Sequence, residues 1–186
     1  MKKFKTSILF GLLSIVLAAC VGTGSEANKA PAVALTNQYK VKSLSVFVSK
    51  SVSLNELPRF ANEPKEKTAE NIKSYVNAAM KKHVVPAFIG AKSVNIEAEV
   101  THVQFATNGG VIIMQAASYM SGTATMKDAK TGTVIKTGNI SITDAPVRGN
   151  GLGIIVAIAA NATTTPEKRY TSMTEKFAKE ALLQLK

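Results

Sequence analysis

A chain of 186 residues with 46% hydrophobic content and one cysteine has the size of a single ordinary domain and no second thiol for an internal disulfide. With 23 basic against 12 acidic residues and a net charge of +11, it is distinctly basic. Neither a disulfide-stapled scaffold nor a multi-span membrane protein fits these numbers.

Met-Lys-Lys-Phe-Lys opens the chain, an apolar stretch runs from Ile8 to Val16, and Leu17-Ala18-Ala19-Cys20 follows with the single cysteine. A positively charged start, a short apolar run and small residues at a cut site are the parts of a signal peptide. The run is shorter than the roughly 20 residues a spanning helix needs. Leu-Ala-Ala-Cys closely resembles the lipobox of bacterial lipoproteins. That resemblance implies cleavage between Ala19 and Cys20, a diacylglyceryl group on the Cys20 sulfur and acylation of the new amino group. One acyl chain gives marginal membrane binding and two or three hold stably, so Cys20 is expected to carry the anchor and no catalysis. In the Gram-negative lipoproteins it resembles, Asp after the cysteine favours the inner membrane. Here Val21 stands there, so the expected address is the outer membrane, with the domain in the periplasm.

Loss of residues 1–19 removes three lysines, leaving 20 basic against 12 acidic residues and a net charge of +8. A basic domain held at a membrane attracts anionic lipid headgroups, acidic wall polymers or an acidic protein partner. Export removes nucleic acid from the candidates. Lys65, Lys67, Lys73, Lys81, Lys82, Lys127, Lys130, Lys168 and Lys179 are scattered without an arginine cluster, as a solvated surface also requires.

Residues 20–38, with Gly22, Gly24, Ser25, Asn28 and Pro31, show no hydrophobic period and are expected to be a lipidated flexible tether, followed by one α+β domain over 39–186. Leu44, Val46 and Val48 alternate with polar residues, which predicts a strand over 39–50. Ile72, Tyr75, Val76, Ala79, Met80 and His83 recur at three- and four-residue steps, predicting a helix over 65–84. Pro64 stands near its start, with Glu66 and Glu70 early and Lys81 and Lys82 late, in the sense that complements the helix dipole. Val94, Ile96, Ala98 and Val100 predict a second strand. The apolar parity then switches to Val103 and Phe105, which requires a bulge near Thr101 or His102. Asn108-Gly109-Gly110 signals a turn, residues 111–127 a third strand region, and Lys127-Asp128-Ala129-Lys130-Thr131-Gly132 a hairpin into a fourth strand over 133–143. After an irregular, glycine-rich stretch, Thr165, Pro166 and Glu167 form a helix start, and Tyr170, Met173, Phe177, Ala181 and Leu185 its inward stripe. The expected fold is α+β: a mostly antiparallel sheet of about four strands with two amphipathic helices on one face, in the order β-α-β-β-β-α.

Chemistry has few candidates. His83 and His102 are the only histidines and lack metal-ligand spacing, so no metal or cofactor is expected. Glu97 and Glu99 share one strand face and could pair as acid and base, or simply alternate on a wet surface. No Gly-x-Ser-x-Gly elbow, dinucleotide fingerprint or phosphate loop occurs, so no catalytic residue is assigned and a non-enzymatic protein is expected. Val111-Ile112-Ile113-Met114 and the run Leu152 to Ala160 are too short for a spanning helix. They are either buried core segments or an apolar patch that meets a partner, a lipid or a second copy.

The order of lipobox, tether, strand, helix and strand, with the Asp128-Ala129-Lys130-Thr131-Gly132 hairpin and the Thr165-Pro166-Glu167-Lys168-Arg169-Tyr170-Thr171 helix start, resembles that of small bacterial envelope lipoproteins. In general plan it is similar to accessory lipoproteins of envelope transport and assembly, including curli-type secretion lipoproteins. The resemblance implies a binding or accessory module with an envelope partner. The alternatives are a self-assembling secretion or pore lipoprotein, in which 111–117 and 152–160 make oligomer or membrane contacts, and an envelope hydrolase built around His102.

Overall fold

The computed structural model describes residues 34–55, 64–105, 117–144 and 165–186. Cys20 and the signal, the tether up to residue 33, the Asn108-Gly109-Gly110 turn and the segments 111–116 and 152–160 lie outside the described residues. In chain order the elements are α1 (Leu35–Gln38), β1 (Tyr39–Asn55), α2 (Lys65–His83), a 3-10 turn (Val85–Ala87), β2 (Lys92–Gln104), β3 (Ser118–Asp128), β4 (Val134–Asp144) and α3 (Pro166–Leu185). The strands form one sheet in the order β1-β2-β3-β4. β1 and β2 are parallel, joined through α2, and the other two pairings are antiparallel. This is the α+β class and the element order expected from the sequence, preceded by the single turn α1.

One face of the sheet carries the core. Val94, Ile96, Ala98 and Val100 of β2 are wholly buried, as are Met120, Ala124 and Met126 of β3. Against them α2 sets Ile72, Val76 and Met80, and α3 sets Met173, Phe177, Ala181 and Leu185. Burying a side chain of this size contributes about 1.5–3 kcal/mol, so the two helical stripes and the sheet face hold each other in place. Phe105 and Tyr75 both pack on Tyr170, with ring centroids 4.5 and 5.7 Å away, and close the layer where the two helices meet.

The parity switch in β2 has its cause in the ladder. Pairing with β3 shifts between Val100 and His102, leaving Thr101 without a Cα partner there, so Val103 and Phe105 return to the buried face. The start of α3 is capped as its residues require: the Thr165 hydroxyl accepts from the Lys168 N–H at 3.3 Å. In the β3–β4 hairpin Asp128 Oδ1 accepts from the N–H groups of Lys130 and Thr131, each at 2.8 Å, and Gly132 takes φ +75°. Those N–H groups hold the Asp128 carboxyl below its ordinary value, Thr131 first and Lys130 second.

Two boundaries differ from the sequence reading. β1 runs on to Asn55, because the strand slips register between Val48 and Ser53 and rejoins β2 at His102. The residues of the slip lack the alternation that marked the earlier part. Residues 35–38, read as the end of the tether, form a helical turn in which Thr36 is buried and its carbonyl accepts from the Ile89 N–H at 2.9 Å. No helix among the described residues is long and apolar enough to cross a membrane.

Gly122 sits where β3 runs tightly against β2 and beneath α3. A Cβ there would lie 2.0 Å from the Glu99 carbonyl oxygen and 3.1 Å from the Phe177 ring. Gly122→Ala is expected to lower stability by about 3 kcal/mol, the upper end for overpacking. At Gly132→Ala nothing lies within 4 Å and only the positive φ is at stake, so the expected loss is about 1 kcal/mol. Denaturant unfolding of the two variants checks the contrast, and equal losses would contradict it.

Candidate functional site

The face of the sheet opposite the helices carries no covering element among the described residues, and its side chains are almost all polar. Across the strands, register aligns Ser45, Glu97, Thr125 and Thr137 in one row and Phe47, Glu99, Thr123 and Asn139 in the next. Cross-strand neighbours of this kind stand about 5 Å apart, close enough to bond to each other. Ser43 Oγ donates to Asn95 Oδ1 at 2.7 Å, and Lys127 Nζ to Glu97 Oε2 at 2.6 Å. The hydroxyls of Thr125 and Thr137 share a bond of 3.4 Å, and those of Tyr119 and Ser141 one of 3.1 Å. The result is a flat array of hydroxyl and amide groups, with Phe47 as its exposed ring.

His102 lies on this face with its ring against Tyr119, centroids 5.3 Å apart and tilted by 58°. The hydroxyls around it are paired elsewhere: Thr101 Oγ1 donates to the Ser121 carbonyl at 3.3 Å, and Tyr119 is bonded to Ser141. The Tyr119 phenol is drawn below its usual value by the hydroxyl of Ser141 first and of Ser121 second. Among the described residues no Ser, Thr or carboxylate forms a hydrogen bond with the His102 ring, so the base–nucleophile contact of a histidine-dependent hydrolase is not assembled there. Glu97 and Glu99 sit two residues apart on this face as expected, and Glu97 is ion-paired with Lys127. No group of three His, Cys, Asp or Glu side chains suited to a metal occurs among the described residues.

The other histidine closes α2 at the seam between the helices. His83 Nε2 is shielded from solvent, accepts no hydrogen bond among the described residues and lies 3.8 Å from Glu175 Oε1. The same carboxylate oxygen accepts from Lys82 Nζ at 2.5 Å. Further up the seam the Tyr75 hydroxyl donates to Glu167 at 3.4 Å. The Tyr75 phenol is pushed up by burial first and by the charge of Glu167 second. Between β1 and α2 a cleft of about 560 Å³ runs along Leu44–Phe47 and is bordered by Glu70, Lys73, Ser74 and Asn77. These four lie on one side of the helix, so the rim is polar and the floor is strand.

Sequence reasoning found the wet face of β2 but not the hydroxyl array. Its signal was the odd-numbered run Tyr119, Ser121, Thr123 and Thr125 and its partner Thr137, Asn139, Ser141 and Thr143. The Lys82–Glu175 pair had no such signal, since 93 residues separate its members.

No family model matches the sequence, and no curated protein does. Solved structures are similar to it. The PelC dodecamer from Paraburkholderia phytofirmans is 13% identical over 77% of this chain and 91% of that one, with a TM-score of 0.34. The protein CT253 from Chlamydia trachomatis is 12% identical over 79% and 94%, with a TM-score of 0.38. The lipoprotein GNA1162 from Neisseria meningitidis is 12% identical over 66% and 94%, with a TM-score of 0.29.

The Glu175 carboxyl is held below its ordinary value chiefly by the Lys82 hydrogen bond, then by the charges of Lys82, His83 and Lys179, with burial opposing. A carboxyl lowered by folding adds stability above its unfolded value of about 4.3, and that contribution disappears as pH falls through the folded value. Lys82→Ala is expected to raise the Glu175 midpoint, read from its side-chain carboxyl NMR shift. Because Lys82 is 64% exposed, the stability cost at neutral pH is expected to stay under about 1 kcal/mol. An unmoved midpoint would show that the pair does not form.

Proposed function

We propose that this chain is a bacterial envelope lipoprotein, anchored through acylated Cys20, whose α+β domain serves as a non-enzymatic binding or accessory module. The observation that carries this reading is Leu17-Ala18-Ala19-Cys20 behind a lysine-rich, apolar leader, with the chain's one thiol at the cut site. The domain supports it by what it offers: an open hydroxyl-rich sheet face, the cleft beside β1 and a surface rich in lysine. These are surfaces for contact, and on the open face Glu97 is paired with Lys127 and the Tyr119 hydroxyl with Ser141. Val21 after the cysteine favours the outer membrane, with the domain on its periplasmic side.

A second reading, self-assembly, has its own observation. Among the described residues β1 and β4 are each paired on one side only, apart from a single bridge between Lys40 and Ile89, so the sheet has two edges that a further copy could extend. Contact of the β4 edge of one copy with the β1 edge of the next is a head-to-tail interface, which closes into a ring or runs on.

Cys20→Ser is expected to leave an uncleaved precursor without acyl mass. Intact-mass spectrometry of the membrane fraction checks this, and a normally processed, membrane-held variant would overturn the anchor. Size in detergent separates the two readings: the extracted wild-type chain is expected to run as a monomer for the binding module, whereas a ring-sized species would favour assembly.

A further inference from the structure

Strand direction divides the domain into two ends. β1, β2 and β4 run one way and β3 the other, while α2 returns from β1 to the parallel β2. α3 returns likewise, since Lys136 at the start of β4 donates to the main-chain oxygen of Lys186. The starts of β1, β2 and β4, the β3–β4 hairpin and the last turn of α3 therefore share one end. Tyr39 pairs with Lys92 there, and the Ala129 N–H donates to the Ser93 carbonyl at 3.0 Å.

Two kinds of side chain collect at this end. Lys40, Lys42, Lys92 and Lys130 are all exposed, and Lys42 stands out in the register slip between Val41 and Ser43. The acid beside them, Asp128, is occupied by the N–H groups of its own turn. Among the lysines stand bare hydrocarbon groups: Ile89 is 75% exposed, Val134 54% and Leu183 60%. The fourth large apolar side chain exposed among the described residues, Phe47, is on the sheet face. The opposite end differs, with Glu66, Glu70, Asp144 and Glu167 interleaved with Lys67, Lys168 and Lys176.

The chain also enters the domain at the lysine end, through Ala34 and α1. Fourteen residues lead from Cys20 to Ala34, and even fully extended they span no more than about 50 Å. We propose that this end is a docking surface for the anionic phospholipid headgroups of the membrane that holds the anchor, with Ile89, Val134 and Leu183 reaching into the headgroup–acyl boundary. The proposal rests on the lipid-anchor reading. Lysine attraction to a charged bilayer fades within a Debye length, about 8 Å at physiological salt, so it acts only on a surface kept close. The anchor supplies that closeness, turning a weak contact into an intramolecular one. The apolar groups decide between membrane and soluble polyanion: an acidic wall polymer would satisfy the lysines and leave Ile89 and Leu183 in water, whereas a bilayer takes both.

Because the chain contains no tryptophan, Ile89→Trp introduces a single reporter at this end and Phe47→Trp one on the sheet face. The full-length chains, purified from membranes, are mixed with vesicles of phosphatidylcholine alone or with added phosphatidylglycerol, each with brominated acyl chains. With phosphatidylglycerol present, the Ile89→Trp emission is expected to shift blue and to be quenched several-fold more than that of Phe47→Trp. Combining Ile89→Trp with Lys40→Gln, Lys42→Gln and Lys92→Gln should remove most of the difference. Equal quenching at both positions, no quenching at Ile89→Trp, or the same blue shift with polyphosphate in place of vesicles would overturn the proposal. The acyl mass on Cys20 is read from the same samples: its presence without quenching sinks the docking surface alone, and quenching without it sinks the anchor alone.

Discussion

Six side chains between Val94 and Phe105 lie wholly buried beneath α2 and α3, and the other elements take their places from them. β2 is paired on both sides, parallel to β1 and antiparallel to β3, so a change in which of its residues face the helices would turn over the whole sheet. The chain avoids that change by one local irregularity. Shifting register between Val100 and His102 keeps Val103 and Phe105 under the helices, where Phe105 meets Tyr170. Without it the last turn of apolar residues would face water and His102 would be forced into the core. The burial of β2 and the bulge are thus one constraint, and they fix the open face as firmly as the covered one.

From this follows the division of labour between the two faces. The covered face needs shape, and it is met by the apolar stripes of the helices; at position 122 a side chain would run into the Glu99 carbonyl of the neighbouring strand and crowd the Phe177 ring above it. The other face meets no helix among the described residues, and its side chains are almost all polar. They are mostly hydroxyl and amide groups, with the Glu97–Lys127 pair and Glu99 among them. Several of these groups bond sideways to their neighbours across the strands.

Those features that depend on near neighbours in sequence were legible beforehand. The 3.6-residue stripe of Ile72, Val76 and Met80, the cap at Thr165, the Asp128–Gly132 hairpin and the parity switch at Thr101 each carry their cause within a few residues. Those that depend on distant partners were not. Lys82 meets Glu175, and Glu97 is neutralised by Lys127, only because the sheet and helices bring remote segments together. The run of β1 beyond Lys50 was missed for a different reason: a strand that bulges through four residues keeps its partner but loses its alternation. Collection of Lys40, Lys92 and Lys130 at one end was also invisible, since in the sequence they look like the same scattered lysines as the rest.

Orientation joins these observations. With the lysine end toward the bilayer, β1, β2 and β4 rise away from the membrane and the sheet stands upright on it. Its open face and both of its edges then look sideways, along the plane in which other anchored proteins diffuse, while the carboxylate-bearing end at Glu66, Glu70, Asp144 and Glu167 points away. In that proposed pose, confinement to a plane and a fixed orientation would remove rotational freedom that a free domain loses on binding, so contacts too weak in solution would become sufficient at the surface. In the proposed arrangement the anchor would do more than retain the protein: it would select which of the domain's surfaces can meet a neighbour.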